Sequence, residues 1–413
     1  MKKIGALFMV ILLLLTTACG NKETSGSEEK EISILYVGDQ FWKDQAEEFE
    51  KETGIKVKYE AVGFEQLHNK LFTILSGGSD EYDIIHVRDD WADEFASQGF
   101  LEPLDDYITE DMKKDFSEIS FENLSSDGNI YGVPRYLWLT QFYYNKKIFE
   151  EAGISKVPTT WDELIKTAQQ IQSKTDVKYA LSTQLREQDA IRPFIYNIRA
   201  EGEEFWDYST NKPSFNTPEG LKSLTRIQDI NTKFKILDPL SFENESAKDQ
   251  FLQGKTAMFI GYPDIVGFAS DPEKSKIIGQ LGTAIMPGSV EKTASLAETG
   301  GIAIPANSKH KEEAFEFIKF ATSEEQEKKM ALSEVARIPA NLEVLKDKEV
   351  LEKYPHFAYV GEQIQYPHGL FKNKNATVIS DTVSRQFLQA IKGEMTPKEA
   401  LKTAEEEVNK INQ

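Results

Sequence analysis

The sequence predicts an α/β protein built as two lobes. Strand-like and helix-like stretches alternate from the start of the folded part, and the same alternation resumes in the second half. Repeated βαβ units of this kind imply a mostly parallel sheet with helices packed on it. The folded part, about 380 residues, also exceeds what one hydrophobic core usually serves.

Ile32 to Val37 reads as a buried strand. Trp42, Ala46 and Phe49 then recur at helical spacing, with Thr53-Gly54 as the stop. Ile55, Val57 and Tyr59 alternate with Lys56 and Lys58, the pattern of a half-buried strand. Phe64, Leu67, Leu71 and Ile74 form another helix face that Gly77-Gly78 ends, and Asp83 to Val87 is a third strand. Farther on, Thr160 and Glu163 have capping-box spacing before Leu164, Ala168 and Ile171. Thr217-Pro218 caps a helix that turns Leu221, Leu224, Ile227 and Ile230 inward. Lys255 to Gly261 reads as a strand, and His310 to Ala321 and Pro397 to Ile411 as amphipathic helices.

Residues 1–18 stand apart from the fold as an export signal. Lys2 and Lys3 precede an apolar stretch, Ile4 to Leu15, that is too short for an ordinary membrane span, and small residues lead to Cys19. Cys19 is the one cysteine of the 413 residues, so no internal disulfide can brace the fold. Its place directly after the apolar segment resembles a bacterial lipobox, in which the thiol is acylated and becomes the mature N-terminus. Thr16 stands where that pattern usually has Leu. Two acyl chains suffice for stable anchoring. Asn21 to Glu31 contains no apolar residue and reads, with Cys19, as a lipidated flexible tether over 19–31.

The formal charge of -20 argues against nucleic acid or anionic headgroups as partners, leaving the lipid as the only membrane contact. Asp249 to Thr256 ends like a phosphate-binding loop. However, Asp249 replaces the first glycine, and a helix pattern precedes Gly254-Lys255-Thr256 where a strand is required. The five histidines (His68, His86, His310, His356, His368) lack metal-ligand spacing, no GxSxG elbow occurs, and Ser289 and Lys292 lie in a loop. No cofactor is expected, and no enzyme activity.

Asp89 and Asp90 follow the third strand, where open sheets bind ligands beyond the strands' carboxyl ends. Asp89 is expected to cap the helix beginning near Trp91, which leaves Asp90 or Arg88 to a ligand. Ionised Asp accepts hydrogen bonds from vicinal hydroxyls, and Trp and Tyr stack on the C–H faces of sugar rings.

Several stretches together resemble the family 1 extracellular solute-binding proteins of ABC importers, the maltose-binding-protein-like group. These are Glu48 to Val57; Asp83-Ile84-Ile85 with Phe95 to Leu104; Tyr131-Gly132-Val133-Pro134 with Tyr143 to Lys146; Gly254 to Met258; Gly301 to Pro305; Ala314 to Phe320; and Gly393 to Ala400. The resemblance implies a periplasmic-binding-protein-like fold of type II, each lobe a mixed, mostly parallel sheet flanked by helices, with the two lobes joined by three crossovers near Leu139, Glu298 and Ala331. It divides the chain into a first lobe, 32–139 plus 299–330, and a second, 140–298 plus 331–413. It also implies a monomeric, lipid-anchored receptor on the extracytoplasmic face, which traps a sugar by hinge closure and delivers it to permease subunits.

Site residues follow where the motifs align. Asp90 falls on a sugar-binding carboxylate position and Trp138 on a ligand-contacting position of the first crossover. Tyr262 and Asp264 follow the Gly261 turn, Gly300 and Gly301 mark close backbone approach beside Glu298, and Asp39, Gln40 and Trp42 occupy the loop after the first strand. Near Ile379 to Asp381 the group's maltose binder carries a stacking aromatic that this chain lacks, which makes Tyr366 or Phe371 the candidate substitute. Arg135 is placed to orient a carboxylate or meet ligand, and convergence of Arg88, Arg135 and Arg337 would favour an anion instead of a neutral sugar. Competing readings are a receptor for a charged small solute, such as an organic anion, amino-acid derivative or polyamine; an extracellular glycosidase with two carboxylates at catalytic separation; and a surface interaction protein with an exposed apolar patch.

Overall fold

Among the described residues the alternating pattern resolves into two main sheets, of six and four strands, each packed between buried clusters, besides two two-stranded pairings. The computed structural model describes residues 30–37, 40–243, 246–333, 337–366 and 369–412. Cys19, the export signal, nearly all of the tether, Asp39 and His368 lie outside the described residues. No described helix is long and apolar enough to cross a membrane.

In chain order the strands of the two sheets are β1 (Glu31–Val37), β2 (Lys56–Val62), β3 (Ile84–Arg88), β4 (Val133–Leu139), β5 (Gln141–Asn145), β6 (Leu181–Thr183), β7 (Met258–Gly261), β8 (Leu281–Ala284), β9 (Ala297–Ala303) and β10 (Ile338–Pro339). The first sheet runs β10-β4-β9-β3-β1-β2 and the second β8-β5-β7-β6. Parallel pairing is confined to β1–β2, β1–β3 and β6–β7. Strands β4, β9 and β10 in the first sheet, and β5 in the second, pair antiparallel with their neighbours. Each sheet is therefore mixed, as expected, although antiparallel pairings outnumber parallel ones. Strands β9 and β5 arrive from the other lobe and need no helical crossover over their own sheet, so the rule that makes βαβ units parallel does not constrain them.

The helices α1 (Gln40–Thr53), α2 (Phe64–Ser76) and α3 (Asp89–Ser97) follow the first three strands. Gly54 and Gly78, with φ of 76° and 67°, leave the ends of α1 and α2 through the left-handed region that favours glycine. Thr160 caps Trp161–Lys174 by accepting from the Glu163 amide, while the Glu163 carboxylate takes the Thr159 amide and hydroxyl. Those bonds hold the Glu163 carboxyl down at about 2.

One core joins Ile32, Phe49, Leu137, Ile302 and Phe317; the other joins Phe142, Leu164, Phe194, Ile227 and Val408. The chain passes between the sheets at Leu139–Gln141 and again at Leu296–Ala297, so Glu298 sits in the first lobe's sheet. The third passage is not near Ala331. Ala331, Ile338, Val350, Phe357 and Ile364 all bury in the first core, β10 pairs with β4, and the second core resumes at Phe371. Residues 331–364 therefore belong to the first lobe. Their apolar spacing matches either core, and only the pairing of Ile338 with Leu137 decides between them.

Candidate functional site between the lobes

The site is built on one face of the first sheet. Directly opposed residues of paired strands share a face, and residues two apart along a strand return to it. Register pairs Glu298 with Trp138 and Gly300 with both Tyr136 and Arg88. Arg88, Tyr136, Trp138, Glu298 and Gly300 thus gather on one side, joined by Arg337 just before β10, around a cavity of ≈ 360 Å³. A Cβ on Gly300 would come within 2.1 Å of the Tyr136 ring, so glycine there lets the tyrosine lie across the strand. The Arg337 guanidinium sits 4.9 Å from the centroid of that ring.

A second cavity of ≈ 210 Å³ shares Arg88, Trp138 and Glu298 with the first and continues into the other lobe, past Thr140, Gln184, Arg186, Asp189, Arg192, Tyr196 and Tyr262. Trp138 and Tyr262 stack at 5.7 Å and 28°. Glu298 is the hub. It accepts from Arg88 at 2.8 Å, from the Tyr262 hydroxyl at 3.1 Å, and from Arg192. Arg192 also donates to the Tyr262 hydroxyl at 2.8 Å and lies 3.6 Å from Asp189, which in turn binds Arg186. Tyr196 is buried, and burial holds its hydroxyl proton well above the usual tyrosine range. Beneath the first cavity His86 is fully buried and kept neutral, first by desolvation and then by the positive charges of Arg88 and Arg337.

Of the residues singled out in the sequence, Arg88, Trp138, Tyr262, Glu298, Gly300 and Arg337 meet here. Others do not. Trp42 is core, 2 % exposed, packed against Tyr36 and Phe317, because its helical spacing with Ala46 and Phe49 turns it inward. Arg135 points to the opposite face of β4 from its neighbour Tyr136, as strand alternation requires, and is buried against Gln45, Ala321 and Glu327. Gly301 packs on Leu124 and Val133, Asp264 pairs with Lys248 at 2.9 Å, and Phe371 is buried among Phe205 and Trp206. Tyr366 lies outside both cavities, near Lys292. Asp89 is not a cap: it is the first residue of α3, and Arg88 holds the cap position without a side-chain bond. Gln40 and Asp90 open α1 and α3 in the backbone, and their side chains lie outside the described residues.

Arg192, Arg186, Tyr136 and Tyr196 went unflagged in the sequence. The signal for the arginines was a dense run of charge, Arg186 to Arg192, between a short strand and an apolar helix. Among the described residues no cluster of His, Cys, Asp and Glu could hold a metal ion.

With this geometry in view, the sequence profile of the bacterial extracellular solute-binding protein family matches residues 36–328. The chain belongs to that family. This solute-binding protein is 29 % identical over 317 residues to a putative binding protein of Brucella abortus, with 74 % of each chain covered. It is 26 % identical to the arabinooligosaccharide-binding protein of Bacillus subtilis over 98 % of both chains, and 26 % identical to the maltotriose-binding protein of Pyrococcus abyssi over 74 % of this chain and 65 % of that one. Among solved structures, the maltose-bound T. maritima MalE3 superposes with a TM-score of 0.79 at 23 % identity, covering 92 % of this chain and 99 % of the other. The cyclic α-maltosyl-1,6-maltose binding protein of Arthrobacter globiformis gives 0.81 at 22 %, with 92 % and 98 % covered. The fold is thus the two-lobed α/β type, and the protein is a binding protein and not an enzyme.

Proposed function

We propose that this solute-binding protein captures a sugar or short oligosaccharide between its lobes and delivers it to the permease of an ABC importer. It would do so as a monomer held at the extracytoplasmic face of the cell membrane by acylated Cys19. The Trp138–Tyr262 stack on the cleft wall carries the reading. The indole and phenol rings, stacked on each other, form an aromatic wall for sugar C–H groups, while Glu298, Arg88, Arg192, Gln184 and Thr140 around them supply donors and acceptors for hydroxyls. The relatives that bind arabinooligosaccharides and maltotriose support the same class.

The convergence of Arg88 with Arg337, joined by Arg192 and Arg186, favours a second reading, a receptor for a charged solute without a sugar ring.

Thermal melting of the full-length protein in detergent, against panels of sugars, polyols, amino acids and organic anions, separates the two. A ligand at about 100 times its dissociation constant adds roughly 2.7 kcal/mol, a visible rise in Tm. A rise with saccharides that Trp138→Ala cuts to about a third is the expected result. A rise with ring-free anions alone rejects the sugar reading.

A further inference from the structure

On both sheets a glycine lies under a tyrosine ring. On β9 a Cβ at Gly300 would come within 2.1 Å of Tyr136 Cζ and 2.5 Å of its hydroxyl oxygen; on β8 a Cβ at Gly282 would come within 2.3 Å of Tyr144 Cζ. Neither glycine has a positive φ, so neither serves the backbone; each clears room for a ring. The two rings differ in what they border. Tyr144 lines neither cleft cavity and packs on Phe142 and Phe149. Tyr136 lines the larger one. Its ring is nearly parallel to that of His86, 6.0 Å and 13° away, its hydroxyl ends 3.5 Å from His86 Nε2, and Arg337 lies against it. The neighbouring Gly301 has a different part, since a Cβ there would strike Leu124 and the Val133 carbonyl.

The clash at Gly300 falls on the far end of the Tyr136 side chain, so the ring, not the backbone, would yield. To regain ordinary contact distance the ring must move by about 1.5 Å. With the sheet beneath it, the way out is into the larger cavity. That cavity adjoins the smaller one: Trp138 lines both, Tyr262 only the smaller and Tyr136 only the larger. Pockets that hold a drug-sized molecule start at about 300 Å³. One sugar ring on the Trp138–Tyr262 wall would occupy the smaller part, ≈ 210 Å³, and leave the larger, ≈ 360 Å³, to water. We infer that the larger cavity holds a second sugar ring, so that the solute is a disaccharide or longer, and that Gly300 determines this specificity by letting Tyr136 lie flat. Gly300 is a positioning residue, acting through Tyr136 on the depth of the cavity. The inference deepens the sugar-receptor reading and rests on it.

The test is isothermal titration calorimetry of the full-length protein in detergent with arabinose, xylose, glucose and N-acetylglucosamine, each beside its di- and trisaccharide. In at least one series the disaccharide should bind about 10- to 100-fold more tightly than its monosaccharide, as a second ring on an aromatic floor would give. Gly300→Ala should cut that preference by about tenfold, the usual effect of overfilling a packed site. Adding Tyr136→Ala to Gly300→Ala should restore part of it, a coupling that a general loss of stability would not show. Gly282→Ala, which displaces Tyr144 outside both cavities, should leave the preference unchanged. Val37→Phe, which fills the larger cavity from its rim, should repeat the loss whether or not Gly300→Ala folds. A disaccharide bound no more tightly than its monosaccharide, or a preference that survives either substitution, would overturn the inference and leave the sugar receptor standing. Binding of no saccharide in any series would overturn both.

Discussion

Two glutamates, Glu298 and Glu327, are both buried beside arginines, and they do opposite things. Glu327 is fully inaccessible behind the first sheet. It accepts the Ala340 amide at 3.0 Å, but Arg135 stays 3.6 Å away and its Oε1 has no hydrogen-bond donor. Desolvation outweighs the help from Arg135 and pushes its carboxyl up to about 8. Glu298 is almost as buried, yet two guanidinium groups and a phenol reach it, and a cavity opens beside it. Burial alone therefore says little about role. What differs is the number of donors and whether solvent or solute can enter, which makes Glu327 a structural group and leaves Glu298 the candidate for meeting a solute.

The comparison breaks most readily at Arg135. Its guanidinium lies 4.4 Å from the Trp42 ring centroid and binds Gln45 and the Ala321 carbonyl, tying α1 to the helix Lys311–Ala321. Arg135→Ala should cost about 3–5 kcal/mol in urea unfolding, the usual loss on breaking a buried pair, with no change in solute affinity once folded. A large affinity change would put Arg135 back in the site.

Glu327 offers the next test. Its folded value of about 8 lies above the 4.5 ordinary for a glutamate, so between the two the folded state holds a proton that the unfolded chain has released. The stability this provides is full below 4.5 and is lost as pH rises through 8. Glu327→Gln should flatten the stability–pH curve across that window.

A smaller effect, on binding instead of folding, is expected at Trp138. Trp138→Ala should weaken sugar binding by about 2 kcal/mol, seen by calorimetry, while barely moving Tm, since the indole is only partly buried. Glu298→Gln should cost only about 1 kcal/mol of stability, because its arginines face a cavity and the amide still accepts one hydrogen bond. A loss as large as that of Arg135→Ala would erase the distinction between the two glutamates.

The fold was largely legible, because helix and strand periodicity and the glycine and threonine signals at element ends are local. Pro397–Ile411 and Gln40–Thr53 form where the spacing of apolar residues places them. The site was legible in half. Trp138, Tyr262 and Glu298 could be singled out because the stretches around them resemble the family's ligand-facing segments, and Arg88 because it follows the third strand. The sorting of Arg135 from Tyr136 depended on which face of β4 looks into the cleft, which register and not composition decides. Arg192 and Arg186 were hidden for the same reason: a charged run ordinarily faces solvent, and only tertiary packing carries this one to Glu298.

The position of Glu298 on β9 has a mechanical meaning. It is rooted in the first lobe's sheet one residue beyond the passage at Leu296–Ala297, and so is Arg88 beside it. Arg192 and Tyr262 are rooted in the second lobe. A rotation that parts the lobes leaves the Arg88–Glu298 bond whole and draws the Arg192–Glu298 bond apart. The crossing strand is then both axle and contact: each opening separates one pair of charges, and dissolved salt, by screening that pair, eases the door.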